Sequence, residues 1–154
     1  MASPGPRRLY WEEVEVGAEY ISPGRTVTEA DIVAFAGLSG DYSVLHTDEE
    51  FMKGTAFGHR IAHGLLGLSI QSGLAQRGIA VQPATIAFLG LTWRFEKPIF
   101  IGDTIHVRAR VAEKRETSRP DRGIVTWERE IINQRGEVVQ RGTTMNMIQR
   151  RPAG

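Results

Sequence analysis

The sequence contains no cysteine among its 154 residues. This absence excludes disulfides, thiolate nucleophiles and cysteine-ligated zinc, and it leaves the redox compartment open. Long hydrophobic runs are also missing, because no segment reaches the roughly 18 consecutive apolar residues of a membrane-spanning helix. Residues 1–8 lack the apolar core of a signal peptide. The sequence therefore predicts a soluble protein without a membrane segment, and the cytoplasm is the expected compartment.

A strong excess of either charge is missing as well. The formal net charge is +1, which gives no reason to expect a nucleic-acid-binding or membrane-binding surface. The apolar and charged fractions, 41% and 24%, are ordinary for a globular chain of one domain. We predict one domain over residues 9–149, with flexible tails at residues 1–8 and 150–154.

The first half of the chain carries helix signals. Residues 28–31 resemble a capping box that begins a short helix ending near Gly40. Residues 47–50 resemble a second capping box, and Gly54 stops the helix that follows. Residues 41–46 are then predicted to connect the two short helices. Residues 64–76 form the longest helical pattern, and because they are apolar almost all round they predict a buried helix.

The second half of the chain carries strand signals. Apolar and polar residues alternate from Ile105 to Val111, and residues 123–133 and 138–148 are rich in β-forming residues. Short turn sequences separate these segments, which predicts antiparallel pairing. The predicted fold class is α+β, with a long central helix wrapped by an antiparallel β-sheet.

The most informative residues lie between these two halves. Asp41 stands five residues before His46, and the pair His63–Gly64 opens the long helix. A carboxylate and an imidazole can hold and activate one water molecule, and a helix N-terminus can stabilise a developing oxyanion. The stretch predicts water chemistry beside an activated carbonyl. Taken alone, however, the Asp–His spacing also fits a helix cap or a solvated loop pair.

Several separated elements match the pattern of a known family in the same order. The matching residues are Ser39-Gly40-Asp41, Leu45-His46 with Asp48, Ile61-Ala62-His63-Gly64, and the strand-turn-strand pattern of residues 95–103. Over about residues 11–148 the sequence resembles the MaoC-like dehydratases and (R)-specific enoyl-CoA hydratases of the hotdog fold. One departure is that Ser43–Val44 replaces the family's usual Asn-Pro, whose Asn helps to order the active-site loop.

The resemblance implies a single hotdog domain that forms a homodimer, with its pocket at the subunit boundary. It implies reversible addition of water to a trans-2-enoyl-CoA thioester, giving the (R)-3-hydroxyacyl-CoA. Asp41 and His46 would hold the water, with the assignment of Asp41 as base and His46 as proton donor left open. The Gly64 N–H would face the thioester oxygen. Residues expected near the substrate are Ser43, His63 and Ser69. The coenzyme A thioester is the substrate, and no metal or redox cofactor is implied.

Each of these site residues also has a purely structural interpretation. Gly64 could serve helix packing, and Ser69 could bond back to a helix carbonyl. His59 and His63 are four residues apart and on a helix could share a metal ion, but Gly58 favours a loop. His63 is then expected to order the turn before the long helix. The basic residues that could meet coenzyme A phosphates, or simply form surface, are Arg94, Lys97, Arg119 and Arg122.

Two other functions compete with hydration. The first is an acyl-CoA thioesterase on the same fold, and many such enzymes place a carboxylate on the central helix. Residues 65–76 contain no acidic residue, which favours the hydratase. The second is a non-catalytic subunit that binds acyl thioesters, and the presence of both Asp41 and His46 argues against it.

Overall fold

Along the sequence, the four α-helices precede the four long strands of the sheet. In the computed structural model, which describes residues 7–152, the helices are α1 (Glu29–Ser39), α2 (Val44–Thr47), α3 (Glu49–Lys53) and α4 (Gly64–Arg77). The strands are β1 (Glu19–Ile21), β2 (Arg25–Thr26), β3 (Thr85–Phe95), β4 (Thr104–Glu116), β5 (Arg122–Asn133) and β6 (Val138–Gln149). Residues 1–6 and 153–154 of the predicted tails lie outside the described part. No helix within residues 7–152 is long and apolar enough to cross a membrane.

The six strands form one antiparallel sheet with the order β1-β4-β5-β6-β3. Strand β2 also pairs with β4, at residues 104–105, whereas β1 pairs with residues 108–110. The predicted α+β architecture, with a long helix against an antiparallel sheet, is confirmed. Strands β1 and β2 were not anticipated, because segments of three and two residues are too short to show an alternating pattern.

Helix α4 packs on the sheet through one face only. The buried core that joins them includes Leu66, Ile70, Leu74, Ile105, Val107 and Ile131. Full burial of such a side chain contributes about 1.5–3 kcal/mol. The sequence predicted a helix buried all round, and that prediction is wrong for a single chain. Leu65 remains 59% exposed, because the sheet covers only one side of α4.

Strand β3 is a free edge of the sheet. It pairs with β6 on one side, and no other strand within residues 7–152 pairs with its outer side. It is 11 residues long and carries exposed apolar side chains. These are Ile86, Phe88, Leu89, Leu91 and Phe95. A long apolar edge of this kind is a template for pairing with another strand.

Helices α1 and α3 begin at polar capping residues, with one difference from prediction. The Thr28–Asp31 capping box is present at the start of α1. At α3 the cap is Asp48, whose Oδ1 accepts a 2.9 Å bond from the Phe51 N–H. The Thr47 hydroxyl instead donates to two carbonyl oxygens of the preceding segment. Residues 41–46 are also not a plain connection, since His46 lies in α2.

Candidate active site

His46 is a buried side chain whose tautomer follows from its contacts. Its Nδ1 atom lies 2.7 Å from the carbonyl oxygen of Ile61. A carbonyl can only accept a hydrogen bond, so Nδ1 carries the proton and Nε2 of the neutral ring keeps its lone pair. That Nε2 atom lies 3.9 Å from Oδ2 of Asp41, whose side chain is 53% exposed.

The gap between Asp41 and His46 suits a water molecule. At 3.9 Å the two atoms are too far apart for a direct hydrogen bond, while one water between them can bond to both. The carboxylate and the His46 lone pair are both acceptors. A bridging water would therefore donate one proton to each and turn its own lone pair towards the open side, which is the orientation that a nucleophile needs.

Three hydrogen bonds fix Asp41 in this position. Its carboxylate Oδ1 accepts from the Ser43 N–H at 3.1 Å, and its own N–H donates to Ser39 Oγ at 3.1 Å. Its carbonyl oxygen lies 2.9 Å from Nε2 of His63, which must therefore carry a proton. Gly40, with φ of 76°, turns the chain out of α1 into this loop. Ser43 thus contributes through its backbone at the place where the family has Asn.

His63 holds the loop and the His46 ring together. It is 2% exposed, and its ring stacks on that of His46 with centroids 3.8 Å apart. Its Nδ1 atom is buried and has no hydrogen-bond partner in the described part of the chain. Through these contacts the residue just before α4 positions both members of the Asp41–His46 pair, a role that sequence spacing alone did not reveal.

The N-terminus of α4 opens into the same region. Gly64 is the first residue of the helix, and its N–H has no backbone acceptor within the described residues. Gly64 and His46 line one cavity of about 390 Å³. A side chain at position 64 would place its Cβ 2.8 Å from Cδ1 of Phe95, so the ring of Phe95 would have to move to admit it. The structure therefore brings an unused N–H donor next to His46.

Gln140 supports this helix start, and the sequence analysis did not single it out. It is 2% exposed and its Nε2 donates to the Gly64 carbonyl at 3.1 Å. Its Oε1 accepts a 2.9 Å bond from the indole N–H of Trp93. The available signal was its position on β6, where the alternating pattern turns this polar side chain towards the helix.

Ser69 is not brought into the cavity of His46 and Gly64. Its hydroxyl donates to the Leu65 carbonyl at 2.8 Å, as expected for a serine inside a helix. It lines a second cavity further along α4. A larger depression of about 720 Å³ lies on the outward face of the sheet among ion pairs such as Arg108–Glu130, and it contains neither Asp41 nor His46.

His59 does not share a site with His63. Its Nδ1 lies 2.8 Å from Oε1 of Glu49, and this side-chain hydrogen bond is the main cause that lowers the pKa of Glu49 to about 2. The residues that do come together are Asp41, His46 and His63, whose possible ligand atoms lie within 4.8 Å of one another. Zinc bonds of about 2.1 Å in a tetrahedron would bring ligand atoms to about 3.4 Å apart, closer than Asp41 and His46 lie.

We therefore expect dialysis against EDTA to change neither the activity nor the melting temperature. The spacing within the Asp41, His46 and His63 cluster suits a bridging water better than a metal ion, as argued above. Turnover and thermal unfolding before and after dialysis provide the measurement. A loss of activity that added zinc restores would show that this cluster binds a metal.

The sheet and the long helix packed against it define a hotdog fold. A Mycobacterium tuberculosis protein described as a double hotdog fold superposes with a TM-score of 0.84 at 20% identity, over 96% of this chain and 46% of that one. The family model described as "MaoC like domain" matches residues 13–130. The chain belongs to the MaoC-like dehydratase family.

Relatives within this family carry related names. The Archaeoglobus monoamine oxidase regulatory protein is 41% identical with a TM-score of 0.89, over 95% of this chain and 97% of that one. The (R)-specific enoyl-CoA hydratase of Rhodospirillum rubrum is 31% identical over 90% of this chain and 91% of its own. The 3-hydroxybutyryl-CoA dehydratase of Methylorubrum extorquens is 36% identical over 71% and 68%. Protein MaoC of Klebsiella aerogenes is 37% identical over 79% of this chain, which spans only 37% of that protein.

Proposed function

We propose that this protein is an (R)-specific enoyl-CoA hydratase, which adds water reversibly to trans-2-enoyl-CoA thioesters. The observation that carries the proposal is the 3.9 Å gap between Asp41 Oδ2 and His46 Nε2, which suits one shared water. The names of the hydratase and dehydratase relatives support the reaction class and the (R) configuration. Water and the thioester are the only reactants, so no cofactor is needed, and such substrates agree with a cytoplasmic location.

The proposed chemistry begins with the shared water. Its oxygen attacks the β-carbon of the enoyl thioester while one of its protons passes to Nε2 of His46. The imidazolium so formed is stabilised by the Ile61 carbonyl at Nδ1–H and by the Asp41 carboxylate. From the sequence alone, the assignment of Asp41 as base and His46 as proton donor stays open. The lone pair on Nε2 supports His46 as the base, with Asp41 orienting the water.

The second half of the reaction completes the balance of atoms. Attack at the β-carbon moves the electron pair of the double bond through the α-carbon onto the thioester oxygen. In this proposal the Gly64 N–H, at the positive end of the α4 dipole, stabilises the enolate oxygen. His46 then returns the proton to the α-carbon, and the thioester carbonyl reforms. One O–H bond and the π bond of the enoyl double bond are broken, and one C–O bond and one C–H bond are formed.

The assembly that we propose is a homodimer. The support is the free edge of β3 with its exposed apolar side chains, which a second β3 could cover by antiparallel pairing. We expect light scattering at micromolar concentration to give twice the chain mass. Leu89→Lys, which puts a charge on the edge strand, should favour the monomer, whereas Val33→Lys on α1 should not. A monomer mass for the unaltered protein would contradict the proposal.

One assay separates hydration from its two competitors. Crotonyl-CoA is incubated with the protein while the enoyl absorbance and free thiol are followed together, and the product's configuration is determined by chiral chromatography. Hydration removes the absorbance without releasing thiol, and the (R) product is expected. A thioesterase releases thiol, and a non-catalytic subunit changes neither signal. Thiol release at the rate of substrate loss would overturn the proposed function.

A further inference from the structure

A second cavity of about 500 Å³ lies between α4 and the sheet. Its residues on α4 come later in the helix than Gly64, which lines the cavity of His46. Helix α4 contributes Leu68 and Gln71 to it, the edge strand β3 contributes Leu91, and the two central strands contribute Arg129, Thr144 and Asn146. We refer to the space among these six residues as the Arg129 cavity. Its polar residues have no role in the proposed hydration step.

Arg129 is a buried cation without a partner. It is 7% exposed, its Nε is buried without a hydrogen bond, and no hydrogen bond or ion pair of its guanidinium occurs within residues 7–152. The guanidinium carbon Cζ of Arg129 lies over the ring of Trp127, 5.7 Å from the ring centroid. Burial lowers the pKa of Arg129 to about 10, so the side chain stays charged at neutral pH. No group within residues 7–152 pairs with this charge, and Arg129 lines a cavity in which an anion would compensate it.

The position of Arg129 follows from the strand pattern. Val125, Trp127 and Ile131 of β5 are fully or almost fully buried, and the alternation of a strand puts Arg129 on the same inward face. Its neighbours across the sheet are Ala109 on β4 and Gly142 on β6. These small residues leave room for a long side chain. The fold therefore accommodates a cation at a place where the flanking positions are apolar.

Three further polar groups around the cavity are also unused. The Nε2 of Gln71, the Oγ1 of Thr144 and the Oδ1 of Asn146 are buried without a hydrogen-bond partner in the described structure. Gln71 and Thr144 are 1% and 2% exposed. The guanidinium of Arg129, the Gln71 amide Nε2 and the Thr144 hydroxyl are donors and match an ionised carboxylate, which only accepts hydrogen bonds. Asn146 Oδ1 is an acceptor and does not contribute to binding an anion. A neutral hydroxyl in the same place would leave the charge of Arg129 uncompensated.

The Arg129 cavity and the cavity of Gly64 are lined by residues at different positions along α4. Gly64, Leu68 and Gln71 follow one another at helical spacing, so they share one face of α4. At 1.5 Å of rise per residue, Gln71 lies about 10 Å along the axis from Gly64. An acyl group with its thioester carbonyl at Gly64 would run along this face, past the apolar Leu68, and end at Arg129.

We propose that the Arg129 cavity binds a carboxylate at the far end of the acyl group, so that the preferred substrates are enoyl thioesters of dicarboxylic acids. The inference takes the position of the thioester from the proposed function. The competing occupant is an acidic side chain of a second subunit. Neither α4 nor β3, which border the cavity, contains Asp or Glu, and this favours the ligand.

The test compares the affinities of two matched series of saturated acyl-CoA by calorimetry. One series carries a terminal carboxylate, namely succinyl-, glutaryl-, adipyl- and pimeloyl-CoA. The other is butyryl-, pentanoyl-, hexanoyl- and heptanoyl-CoA. We expect the best carboxylated member to bind roughly 10- to 100-fold more tightly than its unsubstituted counterpart, as hydrogen bonds to a charged group imply. Equal affinities across both series would overturn the inference.

Arg129→Met is the decisive variant, because methionine fills similar space without charge. It should reverse the preference, weakening the carboxylated ligands roughly 10- to 100-fold and strengthening the unsubstituted ones. Removal of an unpaired charge should also raise its melting temperature without ligand. The matched control is Arg110→Met, whose arginine is exposed and pairs with Glu128, and it should keep the wild-type preference. A lower melting temperature with an unchanged preference would show that Arg129 is structural or pairs with a second subunit.

The outcome separates this inference from the proposed function. If crotonyl-CoA is hydrated but the carboxylated ligands bind no more tightly than the unsubstituted ones, the carboxylate site is wrong and the proposed function stands. If the carboxylate preference is found without hydration, only the proposed function fails. Should Arg129→Met not fold, Thr144→Val decides in its place, because it removes one donor without changing shape and should reduce the preference several-fold. An unchanged preference in that variant would count against the carboxylate site.

Discussion

Asp41→Asn and His46→Gln are each expected to lower kcat for hydration about 100- to 10,000-fold, the usual contribution of a positioned acid–base group. Asparagine keeps the size of Asp41 but cannot carry its charge beside the imidazolium. Glutamine keeps a polar amide near the position of Nε2, but an amide cannot accept a proton as Nε2 of the imidazole does. Steady-state kinetics with crotonyl-CoA measures the effect, and circular dichroism with thermal melting shows whether the fold is kept.

Two nearby residues provide matched controls for these variants. Asp48→Asn removes a charge from the same segment, and asparagine caps α3 as well as aspartate does. His59→Gln removes an imidazole whose one hydrogen bond in the described structure is to Glu49. Both controls should keep kcat within a few-fold of the wild type. If Asp41→Asn or His46→Gln behaves like its control, with an unchanged melting temperature, the paired acid–base role is wrong.

Gly64→Pro is expected to lower kcat about 100- to 1000-fold, the cost of losing one donor to an oxyanion. Proline has no N–H, yet it suits the first position of a helix. The residue before it, His63, already has the extended ψ of 134° that a following proline requires. The loss should fall mainly on kcat, with a smaller effect on binding of a saturated acyl-CoA, because the donor matters most when charge develops on oxygen.

Gly64→Ala is the control that isolates the N–H. Both substitutions add a Cβ close to the ring of Phe95, so both disturb the same packing, and only proline removes the donor. The ratio of the two kcat values therefore reports the N–H itself. Folding of each variant is checked by its melting temperature. Equal kcat values for folded proline and alanine variants would show that the start of α4 serves packing alone.

The sequence predicted the helices and long strands because their signals are local. Thr28 and Asp31 lie on one turn, and their capping box is present as expected. It is harder to choose between two adjacent residues that could each cap a helix. Asp48, and not Thr47, caps α3, because the Thr47 hydroxyl donates to the carbonyls of Tyr42 and Ser43. The choice depends on where the preceding loop lies, which the sequence does not state.

The candidate site was predictable in its residue types and less so in its geometry. The spacing of Asp41 and His46 suggested the pair, but their 3.9 Å separation depends on Ile61 and His63, which lie 15 and 17 residues beyond His46. The same limit applies to Arg129. The alternation of inward and outward residues along a strand could have placed it on the inward face of β5. Its lack of a partner, however, depends on side chains from α4 and β6.

The free edge of β3 has a consequence for how binding and assembly influence each other. Leu91 belongs to this strand and also forms part of the Arg129 cavity, so a subunit that pairs with the edge also fixes one side of the space for the acyl group. Two equilibria that share a structural element are thermodynamically linked, and the linkage is reciprocal. If pairing of the subunits strengthens ligand binding by some factor, a bound acyl group strengthens the pairing by the same factor, and dilution that separates the subunits weakens ligand binding.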